Sequence, residues 1–284
     1  MEFALHFPQG RLAAFVESIT FYAGYAPRHD REKLIPDGAI QIIVDLTDRP
    51  KRLYAGETTP LGVDFTRSWI SGMQQRWIVI EAQQAASMLV IRFQPGGAQA
   101  LIRHDAGALA NSVYPLVSVI NGAAASLRDR VLEAPSITGK FAAAEGWLGE
   151  QLAGASLHAC APQLAARLLL GGQRVRDLAA ETGLSERHLR NIFAQAIGVS
   201  PKQFARIGRF QRVVGELARS GRDDPALTGE ALPGADWAQL AVENGYADQS
   251  HLSHEFVAFA GMTPKAYAAA YRGLSNYLPI TLAR

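Results

Sequence analysis

The chain has 284 residues, 48% of them hydrophobic, and a formal net charge of +2. That is length enough for two buried cores, and no run approaches the roughly 20 apolar residues that a membrane-crossing helix needs. A single cysteine, Cys160, rules out an intrachain disulfide framework and any site built from several thiolates. Within Ala159-Cys160-Ala161 it reads as a structural, half-buried residue rather than a reactive one.

Met1 to Gly10 lacks the basic start and apolar stretch of a secretory leader, so the cytoplasm is the expected address. Gln9 to Ile19 reads as a short amphipathic helix with Leu12, Phe15, Val16 and Ile19 on one face. The period then changes to two. Ile40, Ile42, Val44 and Leu46 alternate with other residues, which predicts a strand with one buried face, and Trp77 to Glu81 and Ser87 to Phe93 are similarly β-rich. Pro36-Asp37-Gly38 and Pro95-Gly96-Gly97 mark turns, because proline presets φ and glycine admits positive φ.

From Leu116 the composition shifts to Ala, Leu and Arg, and the pattern to Leu170 supports two or three helices with breaks near Pro135 and Pro162. Everything after Gly171 reads as helix, apart from a Gly, Asp and Pro-containing loop at Ser220 to Ala235, and no strand is expected there. The fold class is therefore α+β. A β-rich, sensor-like domain spans 1–115, a helical connector suited to dimerisation spans 116–164, and an all-α domain spans 165–284.

The all-α region contains a repeat. Leu178-Ala179-Ala180-Glu181-Thr182-Gly183-Leu184 matches Leu240-Ala241-Val242-Glu243-Asn244-Gly245-Tyr246. The match continues, after one inserted residue, from Leu189, Phe193, Gly198, Pro201 and Phe204 to Leu252, Phe256, Gly261, Pro264 and Tyr267. Each copy has the mechanics of a helix-turn-helix: an apolar helix, a glycine at the sharp turn, a polar N-cap and a second helix. Small Ala179 and Ala241 let the two helices approach closely. Leu184, Leu189, Ile192 and Phe193 form a buried stripe on the second helix, which forces Arg187, Arg190, Asn191 and Ala194 outward, with His188 at the edge. Arginine grips guanine O6 and N7 in a bidentate manner, and asparagine grips adenine N6 and N7. An exposed arginine face taken alone is commonly solvated surface. Two phased copies, each ending in Gly-x-Ser/Thr-Pro-Lys (Gly198 to Lys202, Gly261 to Lys265), point instead to double-stranded DNA. The charge agrees: nine Lys/Arg stand against four Asp/Glu from Gly171 to Arg219, but three against four from Asp236 to Arg284.

Leu178 to Arg206 and Leu240 to Arg272 resemble the tandem helix-turn-helix domain of the AraC/XylS family. The run Gly245 to Ser253, with Phe256 and Gly261-Met262-Thr263-Pro264, is close to that family's signature. The first half resembles the N-terminal domain of one regulator subgroup in Ile35-Pro36-Asp37-Gly38, Ser71-Gly72 and Phe93 to Ala98. The resemblance implies a transcription regulator whose two reading helices enter successive major-groove segments, tied by a linker helix at Pro201 to Arg219. By position, Arg187, His188, Arg190 and Asn191 would read bases from the first copy, and Gln249, Ser250, His251 and His254 from the second. Lys202, Arg206, Arg209 and Arg212 are phosphate candidates, which position a protein without reading sequence. The family's arginine is replaced by His254, and its further basic residues by Val257 and Ala258. The first copy is therefore expected to dominate binding. The acidic insertion Arg222 to Ala235 reads as a surface loop, with contact to the N-terminal domain or to RNA polymerase as the less favoured alternative.

The resemblance also implies a small-molecule or self-association role for the first half, and RNA polymerase as a partner. No effector is identified. Trp69, Trp77, Tyr54 and Arg92 are weighed as pocket residues, with aromatic core and a solvent-facing strand side as the commoner readings. The Pro95-Gly96-Gly97 turn before an apparent helix is weighed as an anion site, with a structural turn favoured. His104-Asp105, His188, His251 and His254 have no metal-ligand spacing, and the nucleophile-elbow, phosphate-loop and dinucleotide fingerprints are missing, so no metal, cofactor or enzyme activity is expected. Two other classes stay open: a scaffold with degenerate helix-turn-helix units, and a DNA-repair methyl acceptor, for which Cys160 lacks an adjacent base. Activation or repression, the operator and the oligomeric state are not written in these residues.

Overall fold

The computed structural model describes residues 1–102, 104–120, 122–156, 164–167, 172–223, 236–271 and 276–282. Cys160, the break near Pro162 and most of the 222–235 insertion lie outside them.

Two antiparallel sheets form the first half. The six-stranded sheet has the order β1 (Glu2–His6), β2 (Val16–Tyr25), β9 (Ala86–Phe93), β4 (Gln41–Asp45), β7 (Ser68–Ser71), β10 (Val113–Pro115). The five-stranded sheet has the order β11 (Tyr277–Ile280), β3 (Arg31–Leu34), β8 (Ile78–Glu81), β5 (Lys51–Tyr54), β6 (Gly62–Phe65). The period-two pattern gives the six-stranded sheet its two faces. Ile19, Phe21, Ile42, Val44, Ile70, Leu89, Ile91 and Phe93 are buried on the face covered by helices. The opposite residues, among them Thr20, Tyr22, Gln41, Ile43, Ser71, Val90 and Arg92, face the five-stranded sheet across a gap.

The covering helices are α1 (Gly97–Ile102), α2 (Leu116–Val119), α3 (Ala124–Glu133) and α4 (Ile137–Gln151). Proline 135 separates α3 from α4, and Ser136 caps α4 by accepting from the Gly139 amide at 3.1 Å. These helices share one apolar core with the sheet through Leu127, Val131, Ala144, Trp147 and Leu148. Arg128 fixes the packing by donating to the carbonyls of Asp45 at 2.7 Å and Thr47 at 2.9 Å. The segment from 116 thus completes the N-terminal core rather than standing apart as a connector.

The second half contains α5 (Val175–Thr182), α6 (Glu186–Ala196), α7 (Pro201–Asp223), α8 (Trp237–Glu243), α9 (Gln249–Ala260) and α10 (Pro264–Ala270). Three expectations are corrected. Gln9 to Ile19 is a 3-10 turn at Gly10–Ala14 followed by β2, and a register shift between Val16 and Ser18 breaks the strand period there. The helix α7 does not stop at Ser220 but continues to Asp223. The expectation of no strand after Gly171 fails at β11, which pairs Tyr277 with Leu34 and Ile280 with Arg31. Pro279 is compatible with that place because β11 is an edge strand, where a missing backbone donor costs little.

Candidate nucleic-acid interface and ligand cavity

The first helix-turn-helix forms as its sequence dictates. Gly183 ends α5 in the left-handed region at φ 67°, and Ser185 caps α6 by accepting from the His188 amide at 3.2 Å. Leu189, Ile192, Phe193 and Ala196 are buried, so Arg187, His188, Arg190 and Asn191 are all exposed on the other side. No described contact ties down Arg187 or Arg190.

The second unit repeats the backbone but not the surface. Asp248 caps α9 by accepting from the His251 amide at 2.7 Å, and Ala241, Leu252, Phe256 and Phe259 fill the inside. Gln249, Ser250 and His254 are exposed. His251 is half-buried and turned back on its own cap: its Nδ1 accepts from the Ala247 amide at 3.3 Å, and its ring meets Tyr246 edge-on at 5.3 Å. Only one ring nitrogen of His251 is left for an outside partner.

The linker helix α7 has 23 residues and, at 1.5 Å per residue, is about 34 Å long, close to one turn of duplex. Its basic residues divide. Lys202 is exposed. Arg206 donates to Glu255 on α9 at 2.7 Å and to Gln203, and lies over the Phe259 ring. Arg209 lies over Tyr246, 3.8 Å from the other Glu255 oxygen, and Arg212 reaches the Asn244 carbonyl at 3.5 Å. Glu255 is 8% exposed. Three of the four phosphate candidates thus hold the second unit to the linker, a use that the spacing of the linker residues alone does not reveal because the partner, Glu255, lies on another helix.

The N-terminal domain packs against the end of both reading helices. A Cβ on Gly107 would lie 3.2 Å from the Ala194 carbonyl oxygen of α6, and one on Gly261, the C-cap of α9, would lie 2.5 Å from Trp77 Nε1. Trp77, weighed as a pocket residue, is this contact instead. Between them, the Pro36–Gly38 turn meets α7: Gln211 Nε2 donates to the Pro36 carbonyl and, at 3.0 Å, to Asn276 Oδ1. Asp37 in the same turn is ion-paired with Arg92.

The gap between the sheets holds a cavity of 280 Å³ continued by a lobe of 70 Å³. Tyr22, Gln41, Ser71, Ile78, Val90 and Tyr277 line both. Arg92 faces the larger space rather than solvent, and Trp69 faces the lobe. Tyr54 lies instead in a separate groove on the other face of β5. Burial raises the Tyr22 hydroxyl well above its ordinary value and also holds Tyr277 up, so both stay neutral donors. Sequence reasoning missed Lys51 and Tyr277 in this wall. At the Pro95-Gly96-Gly97 turn, a Cβ on Gly97 would lie 2.0 Å from the Phe15 carbonyl oxygen, so close packing accounts for that glycine.

Among the described residues, no cluster of three or more His, Cys, Asp or Glu is placed to hold a metal, and no helix is long and apolar enough to cross a membrane.

Two recognition helices on one linker, behind a β-rich domain, define a DNA-binding transcription regulator. The comparisons fit that class: residues 178–270 match the family model described as "Helix-turn-helix domain", and this chain carries an AraC-type helix-turn-helix domain. Residues 5–115 match "Domain of unknown function (DUF6597)". No curated protein is matched significantly. Among solved structures, the chain is similar to wild-type ToxT of Vibrio cholerae bound to an unsaturated fatty acid, at 12% identity and a TM-score of 0.46, covering 90% of this chain and 96% of that one. It is also similar to the AraC-like transcriptional activator CuxR, at 14% identity and a TM-score of 0.25, covering 75% of this chain and 87% of that one.

Proposed function

We propose that this regulator reads duplex DNA chiefly through α6, with Arg187, His188, Arg190 and Asn191 at base edges, while α9 adds weaker contacts through Gln249, Ser250, His251 and His254. The observation that carries this reading is the exposed Arg187-Arg190-Asn191 face against a second face without Lys or Arg. Lys202 contacts phosphate. Residues 165–284 are the DNA-binding part, and 1–115 with the 116–164 helices are the sensing part, whose small-molecule site is the inter-sheet cavity. RNA polymerase in the cytoplasm is the further partner, since a regulator acts on transcription through that enzyme.

The route from cavity to DNA is short. Arg92 in the cavity wall holds Asp37, and the same turn offers the Pro36 carbonyl to Gln211 of the linker helix. The test is selection of random duplexes by the purified protein at two salt concentrations, with sequencing of what is retained. A bipartite motif with one strong and one faint half is expected. Two equally sharp halves overturn the dominance of α6, and no enrichment at either salt overturns DNA reading by the free protein.

A further inference from the structure

The inter-sheet cavity contains a charge that no protein group neutralises at close range. Lys51 on β5 is 5% exposed and lines the smaller lobe among Leu53, Phe65, Trp69 and Met88. Its backbone pairs with Phe65 of β6, but its ammonium makes no hydrogen bond or ion pair among the described residues. Glu32, Asp45 and Glu81 act on it only through space, and burial draws its pKa below the ordinary lysine value. An ammonium held without a close partner in apolar surroundings is costly. The carboxylates of the larger space are differently placed. Glu32 accepts from the Tyr25 hydroxyl and lies 3.1 Å from His29 Nε2, and Asp37 holds both Arg92 and Gln41. The acids that line the larger space thus already hold partners, whereas the Lys51 ammonium meets no acceptor at bonding distance among the described residues.

We propose that this cavity takes an organic acid, its carboxylate on Lys51 Nζ and its apolar body along Tyr22, Ile78, Val90 and Tyr277 towards the exposed Met1 and Phe3. The inference rests on the ligand-sensing reading above and names the chemistry of that site. The shape suits an elongated molecule, because the lobe and the main space share one wall. Tyr277 belongs to β11, the strand that follows the second helix-turn-helix, so the ligand bears directly on a segment continuous with the DNA-binding half.

The experiment is calorimetric titration with ω-phenyl carboxylates from benzoate to 6-phenylhexanoate, each beside its primary amide, on the wild-type protein and on Lys51→Met. The acid and amide of each pair share a shape and differ in charge. At least one acid is expected to bind roughly tenfold to a hundredfold tighter than its amide, the usual strength of a hydrogen bond to a charged group. In Lys51→Met that ratio falls to near one while the amide keeps its affinity; Lys51→Gln serves as the second variant should the first misfold by near-UV circular dichroism. A ratio near one in the wild type, with both series binding, overturns the acid and leaves the cavity reading intact. A ratio that survives in both variants overturns the role of Lys51. Binding of neither series overturns the acid and the ligand cavity together.

Discussion

The two helix-turn-helix units share a backbone and divide the labour. In the first, the linker meets the reading helix only through apolar side chains such as Phe204 against Phe193, and the outer charges are left alone: Arg187 and Arg190 are exposed and meet no acid among the described residues. In the second, α9 contributes Glu255 inward, and the linker arginines Arg206 and Arg209 are spent on it. A repeat that is legible in sequence therefore says where two helices lie, not that both do the same thing. One copy presents charge to the outside, and the other absorbs charge to be held in place.

The largest effect is expected where the comparison is sharpest. Replacing Arg187 and Arg190 together with alanine removes the two side chains proposed to grip bases, each such grip being worth about 1–3 kcal/mol of discrimination, and is expected to cost on the order of a hundredfold or more in specific affinity. Helical content by circular dichroism stays unchanged, because both side chains are exposed. Gln249→Ala with His254→Ala in the second unit costs less than tenfold by the same titration. Equal losses in the two pairs would erase the asymmetry.

The second unit is expected to fail in stability instead. Glu255→Ala leaves Arg206 and Arg209 half-buried without their acid. The cost is about 2 kcal/mol, below the roughly 3–5 kcal/mol of a fully buried pair because both arginines keep some solvent. Hydrogen exchange should show α9 and α10 opening more readily while α6 keeps its protection. Uniform loosening of both units would mean that Glu255 does not specifically hold the second.

The N-terminal half shows why parts of the fold and site were hidden. Alternation found β4, β8 and most of β9, because one face of each is continuously apolar. It missed β2, where a 3-10 turn mimics helical spacing at the start and a register shift interrupts the strand, and it did not single out β1, β3, β5, β6, β7 or β10, each of only three to five residues. It missed β11, since Tyr277-Leu278-Pro279-Ile280 buries only Leu278 completely and contains a proline. Arg92 looked like a solvent-side residue by the same rule, but a sheet facing a second sheet has no solvent side. A charge on its polar face lines the gap, and only the tertiary structure shows that. The recognition helices were legible because their determinants are local: a cap, a glycine turn and a stripe of apolar residues. The use of Arg206 and Arg209 was not, because it depends on a partner some fifty residues away.

A smaller effect separates the cavity from the rest of the core. Burial lowers the Lys51 pKa, so between that value and the ordinary lysine value near 10.4 the unfolded chain binds more protons than the folded one. The folded state is penalised at every pH below the lowered pKa, and the penalty shrinks as pH rises through it towards the ordinary value. Lys51→Met is therefore expected to melt a few degrees higher than wild type at neutral pH, with the gap narrowing as pH rises into the alkaline range. A lower melting temperature for the variant at pH 7 would show that the ammonium is already compensated in the folded protein.

The smallest effect reverses the asymmetry rather than breaking it. Val257 is 45% exposed on α9, at a position where the resemblance leads one to expect a basic residue. Val257→Arg adds one cation beside the second groove segment without disturbing Leu252, Phe256 or Phe259 inside. If α9 lies against DNA in the complex, the variant gains several-fold in affinity at low salt, and the slope of log affinity against log salt steepens by about 0.9, one released counterion. The gain should fade as salt rises, since nothing in the change adds base readout. An unchanged slope would mean that the second unit stands away from the duplex, so that its pairing with the linker arginines serves only to hold the fold together while α6 binds alone.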